Sequence, residues 1–151
     1  MQHERVEVEW LILADAAQVV GQKLYLLGGG WDVLTVNTGF PMQQRCAVAA
    51  SFKIPWNETN QPHDVEILIE DEDGRELVKV AGQVEVGRPA GIPIGQSQRA
   101  QIAADALLMF ERPGTYVIRA RVNGEEGQHV PFRVIPGPML GRPLPPEEGA
   151  A

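Results

Sequence analysis

The stretch "LLMFERPGTYVIRARVNGEEGQHVPFRVI", residues 107–135, carries the reading on which the fold depends. Tyr116, Ile118, Ala120 and Val122 fall on one side of an alternating run, with Arg119 and Arg121 on the other. Val130, Phe132 and Val134 answer them from a second run. Alternation with a period of two is the mark of a half-buried strand. Between the runs stands Asn123-Gly124, a pair that tolerates the positive φ of a tight hairpin turn. Upstream, Pro113-Gly114 suits the two central positions of a type II turn. The stretch therefore predicts a strand, a turn, and then a β-hairpin.

The same pattern spreads outward. "DVEILIEDEDGRELVKVAGQVEV" sets Asp73-Gly74 between two alternating runs, a second hairpin. "QRCAVAASFKI" alternates Val48, Ala50, Phe52 and Ile54 with Ala47, Ala49, Ser51 and Lys53. "RVEVEWLIL" is polar on one side at first and apolar on both later, as in a strand passing from an edge into a doubly covered interior. "ADAAQVVGQ", residues 14–22, is expected to be a connection with one helical turn. "KLYLLG" and "WDVLTV" predict two short strands or one broken at the glycines between them. "RAQIAADALLMF", residues 99–110, fits a helical stripe and a strand face equally well; its alanines favour helix, its β neighbours favour strand, and strand is the reading taken.

About eight short strands punctuated by turns predict an all-β, immunoglobulin-like antiparallel sandwich. Residues 1–135 are expected to form one domain, and the Pro/Gly-rich residues 136–151 a flexible tail.

The chain has 151 residues, 44% hydrophobic and 22% charged, an ordinary balance for a soluble globular protein. A net charge of −7 should repel phosphate backbones and anionic membranes, so neither nucleic acid nor membrane is expected as a partner. Cys46 is the only cysteine, which excludes an internal disulfide. With no apolar leader at the start and no span-length apolar run, a cytoplasmic location is expected.

The corner segment resembles that of immunoglobulin-like sandwiches: an apolar strand, a Pro113-Gly114 turn, Tyr116, then an alternating strand and an Asn-Gly hairpin. The resemblance implies a tyrosine corner, in which the Tyr116 hydroxyl returns to a nearby backbone group. Further upstream, "ILADAAQVVGQKLYLLGGGWDVL" is similar to the opening of an uncharacterised family of short bacterial β-rich proteins. The matching residues are Ala14, Asp15, Gly21, Lys23, Leu24, Tyr25, Gly28 to Gly30, Trp31 and Asp32. That family lends no catalytic residues.

Candidate sites are few. "GGGWD" is not a phosphate loop: it leads into a strand, and no Lys-Ser or Lys-Thr follows. Gly28, Gly29 and Gly30 instead predict a bend that turns Trp31 inward over the core. Asp15 and Asp32 each follow a strand end, where an aspartate commonly caps local N–H groups, or where two together hold a cation. "EDEDG", residues 70–74, reads as a solvated hairpin tip rather than a calcium loop. His3, His63 and His129 are scattered without metal-ligand spacing, and Cys46 falls in an apolar run as a small hydrophobe. No catalytic residue, metal or cofactor is assigned.

The expectation is thus a non-enzymatic protein-binding or self-assembling module, with an unknown protein partner or a second copy. The alternative is a small-molecule- or metal-binding enzyme whose site is built from Asp15, Lys23, Tyr25, Trp31 and Asp32.

Overall fold

The computed structural model describes residues 4–138. Nine strands follow in chain order: β1 (Glu7–Val20), β2 (Lys23–Gly29), β3 (Val33–Val36), β4 (Met42–Ile54), β5 (His63–Glu70), β6 (Glu76–Val84), β7 (Gln98–Phe110), β8 (Gly114–Val122) and β9 (Glu125–Pro136). A short 3₁₀ turn at Trp56–Glu58 is the one helical element among the described residues. The strands form two sheets, ordered β2-β1-β4-β7 and β3-β9-β8-β5-β6. Every pairing is antiparallel except that of β3 with β9. The all-β sandwich read from the alternation is the fold.

Between the sheets lies a core of alternating residues from both. Phe52, Phe110, Phe132, Ile67, Leu108 and Ile118 are among its largest fully buried members. At one end three rings meet: Phe110 and Tyr116 edge to face at 4.9 Å, and Tyr116 stacked on Phe132 at 5.7 Å. The Tyr116 hydroxyl donates to the Arg112 carbonyl at 2.7 Å. That bond is the tyrosine corner, and it ties the start of β8 to the turn before it. Burial pushes the Tyr116 phenol above its usual range, with nearby Asp71 adding to the effect.

Residues 98–110 are strand, paired along β4 from Met42↔Phe110 to Ile54↔Gln98. Helix propensity loses here because Ala103, Ala104 and Ala106 of β7 pair with Ala49, Val48 and Cys46 of β4, and cross-strand packing outweighs local preference. The Asn123-Gly124 turn has φ of 52° and 81°, as a two-residue hairpin demands. Around Gly74 the turn is longer, and the Asp71 carboxylate accepts from the N–H groups of Asp73 and Arg75.

Residues 14–22 differ from expectation. They hold no helical turn; β1 runs on to Val20, pairs with β2 from Ala14↔Gly29 to Val20↔Lys23, and turns at Gly21-Gln22 with φ of 56° and 66°. Cross-strand pairing overrides the helical preference of alanine and glutamine. No helix among the described residues is long and apolar enough to cross a membrane. β9 ends at Pro136, and Gly137 donates to the Val36 carbonyl at 2.7 Å, so most of the tail expected from 136 onward lies outside the described residues.

Candidate functional site

β1 pairs with a different neighbour along each half of its length. Its first half pairs with β4, from Glu7↔Lys53 to Ala14↔Ala47, and its second half only with β2. The β1–β2 hairpin leaves the sheet at the level of Ala47, yet its tip does not project into solvent. Gln101 of β7 donates from Nε2 to the Gln22 carbonyl at 2.9 Å, and Gln101 stands opposite Ser51 of β4. Strand β7 is two places from β1 in the sheet, so the hairpin must fold back across β4 to reach it.

The floor beneath it is made for that approach. Ala47, Ala49 and Ser51 face away from the core on β4, yet each is 0% exposed. Small side chains let a second layer of backbone come close, and this is why the middle of β4 is buried on both faces. Ala17, Val19, Leu24 and Leu26 are half-buried on the hairpin's underside, whereas Ala16, Gln18, Val20, Tyr25 and Leu27 are exposed on its outer side.

Near the tip, Glu9 pins the floor. Its carboxylate accepts from Arg99 Nη2 at 2.8 Å and from the buried Ser51 hydroxyl at 2.7 Å. The Arg99 and Ser51 hydrogen bonds hold Glu9 down at about 2. At the other end, a Cβ at Gly28 would overlap the Asp15 carboxylate, and Gly28 has φ of 59°. Glycine is required there on both counts. Burial, with the charge of Asp15 second, pushes the Cys46 thiol up to about 11. Such a thiol is protonated and inert at neutral pH.

The five sequence-derived candidates are distributed by this geometry. Lys23 and Tyr25 lie on the outer side of the hairpin; Asp15 lies on its underside, against Gly28. Trp31 leaves the hairpin and packs edge to face on Phe132 at 5.8 Å. Its indole Nε1 is buried without a hydrogen-bond partner. Asp32 follows at the crossing between sheets, where its carbonyl accepts from the Arg133 N–H at 2.9 Å. Among the described residues, no group of three or more His, Cys, Asp and Glu side chains is placed to hold a metal ion.

The outer side of the hairpin gathers a different set, and the sequence reading missed most of it. Among the exposed large hydrophobic residues are Val20, Tyr25 and Leu27 here, at 51%, 56% and 72% exposed. Beside them runs a groove of about 820 Å³, walled by Leu24 to Leu27 and bounded by Asp105 of β7. Leu107 and Met109 continue the same face of β7 past Asp105 and are exposed as well. The missed signal was available: odd residues of "DALLMF" turn away from the core once β7 is known to be a strand.

With this geometry in hand, the relatives can be placed. A family of unknown function, DUF6941, matches residues 9–135, and the chain belongs to it. No curated protein matches the chain in sequence. Among solved structures, the Pseudomonas fluorescens alkylpurine DNA glycosylase AlkC bound to DNA containing an abasic site analog is similar, at 14% identity and a TM-score of 0.47. The match covers 86% of this chain and 30% of that one, so this chain spans less than a third of its neighbour's length. The partner expectation needs correction at this point. Nucleic acid was excluded on net charge, and that exclusion does not stand beside a neighbour solved on DNA. Net charge sums the whole surface and says nothing of one face.

Proposed function

We propose that the chain is a non-enzymatic binding or assembly module, and that its working surface is the outer side of the β1–β2 hairpin with the adjoining face of β7. The observation that supports this most is the exposure of Tyr25 and Leu27 along one groove, with Leu107 and Met109 exposed on the same face of β7 as Asp105, which bounds it. Exposed apolar side chains gathered on one face mark a place where something docks. The strand order and the tyrosine corner support an immunoglobulin-like reading of the sandwich, a scaffold that holds such a surface rigidly. A single domain over residues 1–135 and a cytoplasmic location with Cys46 reduced belong to the same reading.

The enzymatic alternative has less behind it. Lys23 and Tyr25 face outward, Asp15 faces the underside and Trp31 packs on the core, so these side chains do not converge on one reacting centre. The test compares wild type with Leu27→Lys, an exposed change that leaves the core untouched. Tagged protein is captured from its own host and its size is measured by light scattering. Partners or self-association present in wild type and lost in Leu27→Lys support the reading. A strict monomer that retrieves nothing contradicts it.

A further inference from the structure

The groove beside β2 has a chemistry that narrows what can fill it. β2 is an edge strand, so its outward N–H and C=O groups meet no other strand among the described residues. It carries no proline and no bulge, and Lys23 is its one charge. Proline and bulges are usual protections of an edge, and β2 has neither, so Lys23 is the one it carries. In the other sheet the edge strand β3 is only four residues long, against seven in β2. The groove is lined by Leu24 to Leu27 of β2 together with Ala16 and Ala17 of β1, and its polar side chains are Gln18 and, from β7, Asp105. That carboxylate is exposed, lines the groove, and is paired with no cation among the described residues.

Resting on the hairpin reading above, we infer that the groove takes an extended peptide segment by strand addition to β2, with apolar residues at alternate positions and a lysine or arginine set against Asp105. Backbone hydrogen bonds along the edge would supply affinity, and the alternate side chains specificity. Tyr25 and Leu27 flank the apolar positions from one side. A basic residue complements Asp105 locally, and the net charge of −7 draws a cationic segment in from a distance. The occupant is thus defined by backbone conformation and charge together.

The experiment selects random twelve-residue peptides displayed on phage against the full chain, then measures winners by calorimetry. The inference expects winners with apolar residues at alternate positions and at least one lysine or arginine. It expects binding to weaken at least tenfold in Asp105→Lys and in Leu27→Lys, to weaken with added salt, and to vanish when one central peptide residue is made proline. Helical or acidic winners, or winners indifferent to Asp105→Lys, overturn it. If such winners still fail on Leu27→Lys, the hairpin surface stands and only its ligand was misread. If winners bind both variants as well as wild type, the surface assignment falls too. A concentration-dependent dimer that Leu27→Lys abolishes, with no peptide selected, would give the groove to a second copy and also overturn the inference.

Discussion

Tyr116 shows how much one side chain can hold. Its ring closes the aromatic end of the core, and its hydroxyl satisfies the Arg112 carbonyl at the mouth of the turn. Tyr116→Phe keeps the ring and orphans that carbonyl, so it should cost about 1 kcal/mol, read as a lower urea midpoint with unchanged slope. Glu9 works by charge instead. Its carboxylate is held at about 2 against an ordinary 4.5, so the folded state favours the ionised form. The stability it lends is present above pH 4.5 and is lost as pH falls toward 2. Glu9→Gln should therefore flatten the loss of stability across that window, checked by urea unfolding at stepped pH. Tyr116 was legible in sequence because its turn, ring and alternating strand are consecutive. Glu9 was not, because Arg99 and Ser51 come from two other strands and nothing local announces them.

At the scale of elements, the β1–β2 hairpin is the departure from a plain sandwich. Its sequence is rich in alanine and glutamine, which locally suggest helix, and its strand character comes from partners that only the fold provides. The alanines of β4 make the same point from below. They read as weak strand formers in sequence, whereas in the structure their small size admits the hairpin's backbone. Ala49→Leu inserts volume where none is free, a change that costs about 1–3 kcal/mol in a packed interior. Because Ala49 faces away from the main core, the hairpin should lift while the two sheets persist. Limited proteolysis should then cut within residues 15–28 before any other strand, while a wild-type hairpin resists at the same protease concentration.

At the scale of the molecule, two sheets with alternating inward residues follow directly from the period of two, and among the described residues nine strands stand where about eight were expected. What sequence could not convey is layering. Alternation tells which side of a strand is buried, but not that a hairpin returns to bury the other side as well. The exposed apolar face around Tyr25 and Leu27 went unseen for that reason. The account's central claim is that residues 15–28 lie docked on β4 and β7, presenting Tyr25 and Leu27 outward. Hydrogen exchange of the backbone amides tests it most directly. Docking predicts slow exchange at the amides that pair across the hairpin, those of Gln18, Val20, Lys23 and Tyr25, while the edge amides of Leu24 and Leu26 exchange faster; exchange across the whole segment at the rate of an unfolded peptide would contradict it.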